Sequence, residues 1–150
     1  MAITSAIANS FKQEILVGTH NFTASSGHTF KIALIKANAS QSGTYNASTT
    51  NYSVVTGNSD ELPNGSGYTT GGNTLTSVTP VLDSSTAVCD FANTSWSSAT
   101  FTTRGCIIYN TSASNKAVMV LDFGADYSVS NGTFTVEFPT ANASNAIIRI

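Results

Sequence analysis

The tripeptide Asp122-Phe123-Gly124, within AVMVLDFGADYSVSNGTFTVEF, matches a metal-binding loop used in phosphoryl transfer. That chemistry also needs a glycine-rich phosphate loop, a strand lysine and an HRD-type catalytic loop, and the chain has none of them. Asp122 therefore reads as a strand-end or turn residue that accepts backbone hydrogen bonds. Asp126 could join it on calcium, but two carboxylates without a third acidic partner make a weak site. His20 and His28, the two histidines, flank NFTASSG. No GxSxG elbow or comparable cysteine signature accompanies them, and they read as polar loop residues near the end of a helix. The eight acidic residues show no facing pair of the kind glycoside hydrolysis requires, and Asp60-Glu61 reads as a solvated turn. Cys89 and Cys106 form no CxxC and sit in apolar runs, as buried thiols would; a disulfide between neighbouring strands is the alternative. The expectation is a protein that is not an enzyme, with no catalytic residue, metal or cofactor.

Composition narrows the classes further. Charged residues make up 9% of 150, against about 25% in an average soluble domain. Serine, threonine and asparagine supply 57 residues and must form most of the polar surface. Their short side chains compete for backbone hydrogen bonds and favour strands and tight turns over helices. Six basic residues spread along a chain of net charge -2 exclude the clustered cations of a nucleic-acid surface. No stretch is long and apolar enough to cross a bilayer, and no basic-then-apolar export signal opens the sequence, so neither membrane insertion nor standard secretion is expected. The nine Asn-x-Ser/Thr sequons then reflect composition.

The elements that must position these residues follow from periodicity. Ile3, Ile7, Phe11 and Ile15 recur every fourth residue, predicting one helix over about 3–17, with Thr4 or Ser5 as its cap and Gly18 ending it. Its apolar stripe could pack on its own domain or dock on a partner. TFKIALIK (29–36) predicts a strand. Residues 37–72 hold TTNYSVVTG, read as a short strand, and a glycine-rich stretch read as an extended surface loop. Short strands then follow at NTLTSVTPVL, TAVCDF (86–91), ATFTTRGCIIYN (99–110), KAVMVLDFG (116–124), GTFTVEF (132–138) and NAIIRI (145–150). The pattern predicts one mainly β domain over 1–150, an antiparallel β-sandwich or jelly-roll-like barrel with one N-terminal helix. Phe91, Phe101 and Phe134 fall at core positions, while Tyr52, Tyr68 and Trp96 fall in loops or at strand ends and are candidate contacts for a partner or a sugar.

Several blocks carry a resemblance across nearly the whole chain: AIANSFKQEILVGTHNF, FKIALIKANAS, GYTTGGNTLTSVTP, CDFANTSWSSATFTTRGCIIYN, AVMVLDFGADYSVSNGTFTVEFP and NAIIRI. Together they resemble short virion-associated structural proteins of tailed bacteriophages. The resemblance implies a structural protein of the virion, assembled in the host cytoplasm, and transfers no catalytic residue. A small neutral β domain suits a capsid decoration or cement protein that bridges subunits of the major capsid protein, as a homo-oligomer such as a trimer at local three-fold positions. A neck or tail component and a carbohydrate-binding attachment module are the alternatives. The candidate contacts are Ile3, Ile7, Phe11 and Ile15 on the helix stripe, with Tyr52, Tyr68 and Trp96.

Overall fold

Along the chain run β1 (Ala6–Ile7), α1 (Asn9–Leu16), β2 (Phe30–Lys36), α2 (Ser53–Gly57), β3 (Asn73–Thr74), β4 (Ser77–Asp83), β5 (Thr86–Phe91), β6 (Thr94–Asn110), β7 (Lys116–Val136) and β8 (Ile148–Arg149). These are seen in a computed structural model that describes residues 2–150. The larger sheet has the order β1-β7-β6-β2-β3 and the smaller β4-β5-β8; all pairings are antiparallel. Both sheets are open, so the mainly β fold is sandwich-like and not a closed barrel.

The core gathers where β2 crosses the larger sheet. Ile32, Ala33, Leu34 and Ile35 are all fully buried, which explains why FKIALIK is continuously apolar instead of alternating. Phe30 stacks on Phe22 at 4.3 Å and lies 5.6 Å from Phe91, so the smaller sheet shares this core. Cys89, Cys106 and Ile148 belong to the same cluster.

Three expectations about elements need correction. The first helix starts at Asn9, not near residue 3: Ile3 bridges to Tyr45 and Ile7 pairs with Met119. A spacing of four suits a strand, with its period of two, as well as a helix, and backbone bonds from Thr4 N–H to Tyr45 O and from Ala8 N–H to Val118 O decide for extended chain. Only the end of that helix falls where expected, with Gly18 at φ 76° and Thr19 N–H bonded to Glu14 O.

The second correction concerns TTNYSVVTG, which holds α2 and not a strand. Asn51 Oδ1 accepts from Ser53 N–H at 2.9 Å, and this local turn starts the helix. The third concerns KAVMVLDFG and GTFTVEF, which are two parts of one strand, β7. Its ladder with β6 passes from Gly105↔Asp122 to Thr103↔Tyr127, so the extra residues between them bulge out while pairing continues.

Candidate functional site

Both histidines lie in the loop between α1 and β2, as expected, but His20 is buried and His28 half-buried. Ser112 N–H donates to Asn110 Oδ1 at 3.0 Å, and this fixes the carboxamide. Asn110 Nδ2 then donates to Nδ1 of both His20 and His28, each at 2.9 Å. His20 must carry its proton on Nε2, which donates to Glu14 Oε2 at 2.9 Å, while Lys116 Nζ reaches Glu14 Oε1 at 2.8 Å. Burial between Phe11 and the Phe22–Phe30 pair lowers the His20 pKa despite the carboxylate. Burial alone would raise the Glu14 carboxyl; the hydrogen bonds from Lys116 and His20 outweigh it and hold the group below its ordinary value. A carboxylate that orients a histidine is half of a nucleophilic triad, but here both nitrogens of His20 are occupied by protein partners. The cluster ties α1, the 19–29 segment and the β6–β7 turn together.

Asp60 and Glu61 are also buried, at 1% and 7% exposure, so the solvated-turn reading fails. Asp60 accepts from Ser42 N–H and Oγ, Gly43 N–H and the Tyr45 hydroxyl. Against the burial that raises it, these donors hold its carboxyl below the usual range. Glu61 accepts from the hydroxyls of Tyr52 and Tyr68 and from Gly71 N–H. Burial first, and the Glu61 carboxylate with it, push both phenols well up, so they stay neutral donors. Leu62 N–H bonds to Leu34 O and Lys36 N–H to Asp60 O, which lays this stretch along β2. The glycine-rich stretch is mostly exposed, as expected of a surface loop, but Asp60, Glu61, Leu62 and Tyr68 anchor it to the core.

Asp122-Phe123-Gly124 opens the β7 bulge. Gly124 N–H donates to Asp122 Oδ1 at 2.9 Å, and Arg104 Nε to the same oxygen at 2.7 Å. Arg104 keeps the Asp122 carboxyl below its ordinary value. Asp126 accepts from Asn38 N–H, and no group of three metal-ligating side chains occurs among the described residues. Cys89 and Cys106 are free and buried, and burial pushes the Cys89 thiol up to about 12.

Of the candidate contacts, Ile3, Phe11, Tyr68 and Trp96 are each 5% exposed or less and are occupied in the protein's own core. Ile7, Ile15 and Tyr52 are half-buried against it, and Tyr52 stacks on Tyr109 at 4.3 Å. The helix stripe and the three aromatic residues therefore form no exposed platform.

The exposed apolar side chains lie elsewhere. Leu16 (85%), Val17 (65%), Leu82 (74%) and Ile150 (73%) are the most exposed large hydrophobics among the described residues, followed by Val81 on β4, Tyr127 on β7 and Val78 on β4. Leu82 pairs with Ala87, and Ala87 exchanges backbone hydrogen bonds with Ile150, which forms a row across the smaller sheet. Ala87 and Ile150 line a cleft with Ile15, Phe22 and Pro80, and Leu16 and Val17 follow Ile15 directly. This apolar end is the candidate functional surface. Sequence periodicity missed it because Leu82 and Ile150 meet only through sheet pairing.

No protein-family model, curated protein or solved structure matched the chain.

Proposed function

We propose that the protein is a structural component of a bacteriophage virion, a decoration or cement protein that binds the assembled shell of major capsid protein. Its role is mechanical and not catalytic. Binding to the assembled shell, but not to free subunits, stabilises the assembly by mass action and opposes rupture by packaged DNA. The observation that carries this reading is the row Leu82, Ala87 and Ile150 on the smaller sheet, beside an apolar cleft lined by Ile15, Phe22, Pro80 and Ile150, with the exposed Leu16 and Val17 next to Ile15 in sequence. Several exposed apolar side chains gathered beside an apolar cleft mark an interaction site. The internal use of His20, Glu14, Asp60, Glu61 and Asp122 supports the same reading, since each meets protein donors or ions. In a homo-oligomer such as a trimer at local three-fold positions, symmetry would repeat these weak contacts around the shell.

Co-sedimentation with purified shells that lack the protein tests this. Wild-type protein is expected to pellet with the shells, and Leu82→Ser together with Leu16→Ser to abolish pelleting while the variant stays folded. Pelleting that the double variant leaves unchanged would remove the apolar end from the account.

A further inference from the structure

A second surface has a different character. A groove of about 440 Å³ runs beside the Leu121–Val136 half of β7 and the Glu137–Pro139 segment that follows it. Its apolar wall is built from Phe123, Tyr127, Phe134 and Phe138. Phe134 lies 6.0 Å from Phe123 and is backed by Trp96 at 6.0 Å and Phe101 at 5.5 Å, so packing between strands holds the wall in place. Tyr127 is 49% exposed, the one large hydrophobic of that exposure outside the α1, β4 and β8 end among the described residues. Among the described residues the pairing of β1 with β7 ends at Ala6↔Val120, and Ser5 Oγ engages the backbone of Asp122 just beyond it.

The charges of the groove are one-sided. Asp122 and Glu137 line it, and Arg104, the base that reaches this region, is held by Asp122 at 2.7 Å. Glu137 is exposed and has no cationic partner within salt-bridge distance among the described residues. An acidic occupant would be repelled by Glu137 and Asp122, and a basic one attracted, although solvent at the exposed Glu137 moderates both effects. A segment that combines apolar side chains with a cation matches both features.

We propose that this groove binds an extended apolar peptide segment of a partner protein, with a lysine or arginine of that segment paired to Glu137. The volume lies within the usual range of preformed sites, roughly 300–1,000 Å³, and accommodates a few side chains of such a segment. This site is separate from the apolar end and does not depend on the shell-binding reading.

Fluorescence anisotropy with two labelled synthetic peptides tests the proposal. Both carry the same leucine- and valine-rich centre; one is flanked by lysines, the other by glutamates. The lysine-flanked peptide is expected to bind about ten-fold or more tightly than the glutamate-flanked one. Glu137→Gln should bring the two affinities close together, and Tyr127→Ser should weaken both. Glu137 is exposed, so Glu137→Gln keeps the wild-type melting temperature and carries the test even where Tyr127→Ser, whose ring packs edge-on against Phe123 at 6.4 Å, lowers it. Absence of binding at millimolar peptide, equal binding of the two peptides, or binding that neither variant alters would each overturn the proposal. Loss of shell binding in Leu82→Ser/Leu16→Ser, with peptide binding intact, is the expected sign that the two surfaces are independent.

Discussion

Glu61 shows what one buried carboxylate contributes in a chain with few charges. It joins Tyr52, Tyr68 and Gly71, while Tyr68 also accepts Leu34 N–H from β2 at 3.0 Å. Tyr68→Phe keeps the ring but strips a donor from Glu61 and an acceptor from Leu34. Urea denaturation is expected to show a loss of about 1–3 kcal/mol, the range for leaving buried polar groups unsatisfied. His20 gives a pH prediction. Its folded pKa is lowered, so the unfolded chain binds more protons between that value and about 6.5, and stability must fall as pH drops through this window. A proton on Nδ1 would also face the Asn110 donor. Melting temperature should therefore decline from pH 7 to pH 5, and His20→Gln should flatten that slope; an unchanged slope would contradict the assignment. Neither network was legible in the sequence: Asn110 and Lys116 lie 90 and 102 residues from His20 and Glu14, and Tyr52, Glu61 and Tyr68, though near one another, follow no recognised pattern.

At the scale of elements, legibility followed burial. β2 and β5 matched their apolar runs because strands in a shared core show their composition directly. The start of α1 was not legible, since Ile3 and Ile7 satisfy two periods and a long-range partner chose between them. The single strand β7 was hidden by Asn131-Gly132, which reads as a hairpin turn yet stays within the ladder to β6. Two glycines separate strain from steric fit. Gly124 in the bulge has φ 85° and open space where a Cβ would sit, whereas at Gly72, φ 72°, a Cβ would lie 1.8 Å from Ile32 O. Gly124→Ala should cost roughly 1–2 kcal/mol, the left-handed penalty of an L side chain. Gly72→Ala should cost more, because the β2–β3 edge must also open. Equal losses in denaturant unfolding would contradict that difference.

For the whole molecule, low charge and an apolar end belong together. Few charges give little self-repulsion, which an isolated protein tolerates poorly and a permanent assembly does not need. Under the proposed function, Leu16, Val17, Leu82 and Ile150 are the surface that meets the shell, while the aromatic residues expected to make contacts lie in or against the core. The composition announced the β class and the lack of clustered cations; it did not reveal which apolar residues would remain outside, since that depends on strand order. The proposed virion role is most directly tested by taking a phage whose genome carries this sequence and measuring the chain against the major capsid protein by quantitative mass spectrometry of purified particles. The account predicts a copy number of the same order as the sites on the shell, and absence of the chain from the particles would contradict it.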